Sequence, residues 1–190
     1  IAATDIENMV KFAKDNAIDL VMVAPDDPLV LGMVDAMEKE GIRAFGPRAN
    51  AAIIEGSKAF SKELMKKYNI PTANYEVFTD STSAIDYIKA QNTFPTVIKA
   101  DGLALGKGVI IAQNLEEAEQ AVHEMIDDGK FGKSGSRVVI EEFLTGPEVS
   151  VLAFTDGKTV KPMVSAQDHK RAYDNDEGLN TGGMGTISPN

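Results

Sequence analysis

The stretch VIKADGLALGKGVIIA, residues 97 to 112, places Lys99 and Lys107 around Gly102, Gly106 and Gly108, between two apolar runs. An ammonium group is a compact charge suited to phosphate, and glycines leave backbone N–H groups open to an anion. The chemistry to test is therefore polyphosphate binding. A Walker loop needs four residues between its first glycine and Gly-Lys, then Ser or Thr; here Gly102 and Gly106 enclose three, and Gly108 follows Lys107. A dinucleotide fingerprint would open a helix and want glycine at position 111, where Ile111 stands in an apolar run. Two readings survive: a glycine-rich hairpin that folds over polyphosphate, as protein kinases cover their nucleotide, and a plain β-hairpin with a solvated lysine.

A second stretch bears on that choice. In VVIEEFLTGPEVSV a strand delivers Glu141, Glu142, Phe143 and Leu144 to a tight TGP turn, and Glu148 starts a returning strand. Backbone groups at Glu142 and Leu144 can meet the edge of an adenine, with Glu148 accepting from ribose hydroxyls. The alternative is a hairpin whose acidic edge residues discourage aggregation.

These residues need elements to hold them. Ile6, Met9, Val10 and Ala13 share a helical face, and IDLVMVA follows as a buried strand. Asp26, Asp27 and Pro28 start a helix that runs through DPLVLGMVDAMEKEG to Gly41, and IRAFG reads as another strand. Helices alternating with apolar strands indicate a parallel α/β sheet, so residues 1–50 read as the later part of an α/β unit whose first strands are absent. Connecting helices occupy 51–72, with SKAFSKELMKKY closed by Pro71. Residues 73–136 order strand, helix, strand, loop, strand, helix, a compact α+β subdomain in which Asn114 caps the last helix with Glu117 at its third position. Residues 137–190 open a further domain of strand-like runs, two of them joined through Asp156-Gly157, and end in SAQDHKRAYDNDEGLNTGGMGTISPN, an aperiodic tail of the kind that is functional or disordered.

Composition narrows the field. A net charge of -10 disfavours nucleic acid, so an anionic ligand must be held by local cations. No apolar run approaches the length of a membrane span. The absence of cysteine excludes thiolate catalysis and disulfides and fits a cytoplasmic setting. Two histidines make a multi-histidine metal site an unpromising expectation, and His123 reads as solvated on a polar helix. IAATDIENMV lacks the pattern of a signal peptide and reads as the middle of a longer protein.

Lys58 in EGSKAF, Lys99 in VIKADG, the loop to Gly108 and EEFLTGPE together resemble the ATP-grasp superfamily. More narrowly, GIRAFGP, EGSKAFSKELMKKYNIPTA, VIKADGLALGKGV, EEFLTGPEVSV, AQDHKRAYDNDEGLNTGGMG and SP are similar to the glycinamide ribonucleotide synthetases, also called phosphoribosylamine–glycine ligases. The resemblance covers nearly the whole chain, and DHKR with NTGGMG is its most specific part. It implies a partial N-terminal α/β unit, a small α+β lid, and the start of the larger antiparallel ATP-grasp domain. It also implies ATP with Mg2+, the small-molecule substrates glycine and 5-phosphoribosylamine, and no nucleic-acid or membrane partner. Oligomeric state stays open.

By the same resemblance, Lys58 and Lys99 contact ATP phosphates, and Gly102, Gly106, Lys107 and Gly108 belong to a mobile loop above them. Glu141, Glu142, Phe143 and Leu144 border adenine, and Glu148 meets the ribose. Asp168, His169, Lys170 and Arg171, with Asn180, Thr181, Gly182, Gly183, Met184 and Gly185, form a wall around glycine and the ribose phosphate, where His169 positions rather than acts as a base. APDDPLV departs from the family form GPEAPLV at Ala24 and Asp26, so no substrate contact is carried over to Asp26 or Asp27. The resemblance puts the magnesium ligands on an acidic strand that this chain does not contain, so no metal ligand is expected within it and catalysis by the 190 residues alone is not expected. Sister ATP-grasp ligases and a non-catalytic nucleotide-binding module are the competing assignments.

Overall fold

The computed structural model describes residues 1–104 and 108–190, and all their side chains other than those of Lys133, Asp176, Leu179 and Asn180. The expectations for Gly106 and Lys107 lie outside the described residues. The chain divides into Ile1–Phe143 and Leu144–Asn190.

The first unit begins with helix α1 (Ile6–Asp15), capped by Asp5, whose carboxylate accepts from the Asn8 amide at 3.3 Å. Strand β1 (Leu20–Met22), helices α2 (Asp26–Val30) and α3 (Met33–Lys39) and strand β2 (Arg43–Phe45) follow. β1 and β2 pair in parallel, Val21 opposite Ala44, as the alternation of helix and strand predicts. Ile6, Met9, Val10 and Ala13 pack with Met33, Val34 and Met37 in one core. Two expectations change here. The strand read as buried is half exposed, with Leu20 50% and Met22 63% accessible, because only one side of the two-stranded sheet is covered. The single helix expected from Asp26 to Gly41 is two, broken at Gly32, whose φ of +88° is cheap for glycine alone.

Helices α4 (Ala49–Gly56) and α5 (Lys58–Lys67) lead to strand β3 (Tyr75–Phe78), helix α6 (Ser81–Gln91), strands β4 (Thr96–Ala100) and β5 (Val109–Ala112), helix α7 (Leu115–Ile126) and strand β6 (Val138–Glu142). The four strands form an antiparallel sheet in the order β3-β6-β4-β5. Ile98, Ala100, Val138 and Ile140 pack one face of it against Ala84, Ile88, Val122 and Met125 of α6 and α7. Asn114 caps α7 as predicted, accepting from the Glu117 amide at 3.0 Å, while Glu117 reaches back to the Gln113 amide at 2.8 Å. The sequence reading opens a further domain at residue 137. Strand β6 instead lies between β3 and β4, because Val138, Val139 and Ile140 are apolar on both faces and fit only an inner strand.

In the second unit, β7 (Ala153–Thr155) and β8 (Val160–Pro162) form a hairpin around Asp156, whose carboxylate accepts from the amides of Lys158 and Thr159 at 2.9 and 2.7 Å. Strands β9 (Gln167–Asp168) and β12 (Thr186–Ile187) pair antiparallel, as do β10 (Arg171–Tyr173) and β11 (Glu177–Asn180). The aperiodic tail is therefore a set of short ladders, too short to show a period. The strand expected to start at Glu148 is not formed there: Glu148 stands exposed in a segment that first pairs at Ser150 with Ala166.

Candidate functional site

In an antiparallel sheet, residues directly opposite one another share a face. Tyr75 and Val97 both stand opposite Glu141, and Lys99 stands opposite Val139, so these five occupy the face turned away from α6 and α7. On it Lys99 Nζ donates to Glu141 Oε2 at 2.9 Å. A second cation reaches the same oxygen from α5: Lys62 Nζ lies 3.1 Å away. Lys62 also donates to Thr72 Oγ1 at 2.7 Å and to the Ala73 carbonyl at 3.3 Å, and sits 5.6 Å from the centre of the Tyr75 ring. The Glu141 and Lys62 side chains are 6% and 8% exposed, whereas Lys99 keeps 27%. Two ammonium groups share one carboxylate, which leaves this face with a net positive charge.

The start of α5 carries a second network. Ser57 caps the helix, accepting from the Phe60 amide at 3.1 Å, and donates its hydroxyl hydrogen to the Asp101 carboxylate at 3.0 Å. The Ala59 amide reaches the same carboxylate at 2.7 Å, an anion at the positive end of a helix. Arg137 closes it from β6's leading edge, its Nε donating to Asp101 Oδ2 at 2.9 Å and its Nη2 to the same oxygen. This fixes Lys58, whose amide donates to the Asp101 carbonyl at 2.9 Å and whose ammonium donates to the Gly102 carbonyl at 3.0 Å. Burial holds the Lys58 ammonium below its ordinary pKa of 10.5, partly opposed by Asp101 and Glu55. It opens onto a cleft of about 520 Å³ that also has Asp26, Asp27, Glu55, Ala104 and Gly108 on its wall.

Two of the glycines are also fixed by their surroundings within the protein. A Cβ on Gly102 would come within 2.5 Å of Ser134 Oγ, and one on Gly108 within 2.6 Å of Ala104 Cβ. The Gly102 amide donates to the Ser134 carbonyl at 3.4 Å. Both positions thus require glycine for close approach within the protein, and the Gly102 N–H is already engaged. The β4–β5 hairpin itself is as predicted, Lys99 pairing with Val109. Glu142, expected at an adenine edge, binds Asn74: its carboxylate accepts from the Asn74 amide at 2.9 Å and Nδ2 at 3.0 Å, and its own amide donates to the Asn74 carbonyl at 3.0 Å. Phe143, Leu144 and Glu148 are exposed.

Within the second unit, the two halves of the tail motif meet. The His169 amide donates to the Gly185 carbonyl at 2.9 Å, Met184 returns a bond to the His169 carbonyl at 2.7 Å, and the Thr181 amide donates to the Lys170 carbonyl at 2.6 Å. Arg171 Nη1 donates to the Gly178 carbonyl at 2.6 Å. Lys170 pairs with Asp168 at 2.5 Å, which holds the Asp168 carboxyl below its ordinary range and raises the Lys170 ammonium above its own. A cleft of about 400 Å³ opens beside His169, Arg171, Tyr173, Asp174, Met184 and Gly185. Gly182 and Gly183 have open space where a Cβ would stand, and Gly183 has φ of +120°.

Lys62, Asp101, Arg137 and Ser57 were not anticipated. The signal for Lys62 was present: it lies three residues after Ala59, on the buried side of α5, where a lysine needs a partner. The outlying histidine, His123, is exposed but pairs with Asp127 at 2.6 Å, which holds that carboxyl low. Among the described residues no group of three His, Cys, Asp or Glu side chains is placed to hold a metal ion, and no helix is long and apolar enough to cross a membrane.

The model of the phosphoribosylglycinamide synthetase N domain matches residues 1–55, and that of the phosphoribosylglycinamide synthetase ATP-grasp (A) domain matches residues 56–190. A phosphoribosylamine–glycine ligase of Haemophilus influenzae is 55% identical over 189 residues. That alignment takes in 100% of this chain and 44% of the relative, so the chain spans less than half the length of that ligase. The crystal structure of phosphoribosylamine–glycine ligase from Thermotoga maritima superposes with a TM-score of 0.69 at 41% identity, covering 77% of this chain and 37% of that one. A biotin carboxylase of Campylobacter jejuni, 16% identical with a TM-score of 0.75 over 88% of this chain and 39% of its own, shares the fold.

Proposed function

The chain belongs to the phosphoribosylglycinamide synthetase family, and from that premise we propose that the protein is an ATP-dependent carbon–nitrogen ligase joining glycine to 5-phosphoribosylamine in purine biosynthesis. The γ-phosphoryl group of ATP passes to a glycine carboxylate oxygen, releasing ADP; the phosphoribosylamine nitrogen then attacks the acyl carbon and phosphate leaves, giving glycinamide ribonucleotide. The setting is cytoplasmic, in keeping with a chain that has no cysteine.

One observation carries this reading: two lysines on one buried carboxylate, a positive site in a chain of net charge -10. Lys99 stabilises negative charge on the polyphosphate as the phosphoryl group transfers, and Lys58, from the neighbouring cleft, does the same. Gly102, Gly106, Lys107 and Gly108 form the loop over the phosphates and keep water from the acyl phosphate. The backbone at Glu142 and Leu144 reads adenine, and Glu148 the ribose. The DHKR and NTGGMG segments hold glycine and the ribose phosphate, with His169 as a positioning group. Magnesium accompanies ATP. The described residues do not fit a magnesium site by themselves, and no step through the ion is assigned to them.

The test is ADP formation by the full-length protein. Formation that requires both glycine and phosphoribosylamine supports the proposal, and Lys99→Ala should weaken ATP binding about tenfold or more. Turnover with a different carboxylate and indifference to glycine would move the assignment to a sister ATP-grasp ligase. ATP binding without turnover under any substrate pair would make the protein a nucleotide-binding module.

A further inference from the structure

We propose that Lys62 is a positioning residue: by holding Glu141 permanently, it frees Lys99 to turn from that carboxylate to an incoming polyphosphate. The proposal rests on the nucleotide reading above. A buried carboxylate left without a cation is strongly destabilising, so Glu141, 6% exposed, must keep at least one lysine. The two candidates are unlike. Lys62 is 8% exposed and is fixed by three further contacts, to Thr72 Oγ1, the Ala73 carbonyl and the Tyr75 ring. Lys99 is 27% exposed, donates to Glu141, and stands where β4 runs into the glycine loop.

With both lysines charged the group carries one excess positive charge. When Lys99 leaves for a phosphate, Glu141 and Lys62 remain as a neutral, hydrogen-bonded pair. Without Lys62, Lys99 would be the cation left in ion-pair contact with Glu141 among the described residues, and a phosphate would have to compete with a buried carboxylate for it. Lys62 thus sets how available Lys99 is, although no atom of Lys62 need touch the nucleotide.

The full-length protein offers two readings of this. In the absence of nucleotide, amine acylation followed by mass spectrometry should label Lys99 faster than Lys62, and Lys62→Met should slow Lys99 labelling; equal or faster labelling in the variant overturns the inference whether or not ATP binds. In calorimetric ATP titrations, Lys62→Met should weaken binding about tenfold, and Lys62→Met combined with Glu141→Gln should return it to within about threefold of Glu141→Gln alone. Lys62→Arg, which keeps the charge, should stay near wild type. A Lys62→Met protein that binds ATP normally, or a double variant as weak as the single one, would show that Lys62 serves only packing. Failure of the wild-type protein to bind ATP would count against the ligase proposal, leaving the labelling result to decide on Lys62.

Discussion

In residues 1–143 three charged side chains are buried on a core; among the described residues of 144–190 none is. Glu141, Lys62 and Asp101 are each under a tenth exposed and stand beside Val97, Val139 and Ala100. In the second unit no described residue is buried, and Val149, Leu152, Phe154 and Val164 are all more than half exposed. Its motif residues are held by short backbone ladders instead. Where a core surrounds a charge, its partner must be built into the fold, and the geometry is fixed before any ligand arrives. Where the backbone alone supplies the order, side chains such as His169 and Met184 stand exposed.

The contrast can be broken most directly by truncating an apolar side chain in each unit. Ile98→Ala, at a fully buried position, should cost about 3 kcal/mol in chemical denaturation, while Val164→Ala should stay within about 0.5 kcal/mol. Comparable losses would mean that the second unit has a core of its own. Next in size is Asp101→Asn, which weakens the contacts to Ser57, the Ala59 amide and Arg137; we expect about 2 kcal/mol, below the full cost of breaking a buried pair because Arg137 retains access to water. An unchanged melting temperature would reduce this network to ornament. Asn114→Ala removes a helix cap at the edge of the same core and should cost about 1 kcal/mol.

The smallest effect is a pH dependence. Lys58 has a lowered pKa when folded, so between that value and 10.5 the unfolded chain binds more protons than the folded one. Stability should therefore rise as pH increases through that window and fall as it decreases through the folded pKa. Thermal melts of Lys58→Met should lack this slope, and a slope equal to that of wild type would assign it to another group.

The same contrast explains what could be read in advance. Lys58 and Lys99 announce themselves through local signals, a cap before a helix and a strand before glycines, and the β4–β5 hairpin follows from residues a few positions apart. Lys62, Asp101 and Arg137 acquire meaning only through distant partners: Lys99 and Glu141 are 42 positions apart, Ser57 and Asp101 44, Asp101 and Arg137 36. Hydrophobic period says which side of a helix is inside, and it says nothing of which carboxylate waits there. The break at Gly32 escaped notice because the apolar pattern runs on through it. The inner place of β6 escaped because Glu141 and Glu142 suggest an edge, whereas Glu141 is neutralised by two lysines. In the tail, strands of two to four residues are shorter than the window in which alternation can be recognised.

The strand order β3-β6-β4-β5 also has a meaning in time. A chain synthesised from its N-terminus at about 5–20 residues per second releases β3 and the β4–β5 hairpin well before β6. Until residue 142 has emerged, β3 has no neighbour in the sheet, and the glutamate that gathers both lysines does not yet exist. During that interval Lys62 and Lys99 have no Glu141 to share. β6 completes the strand order and supplies Glu141, so a nascent chain halted before Glu141 carries the lysines but not the carboxylate on which they meet.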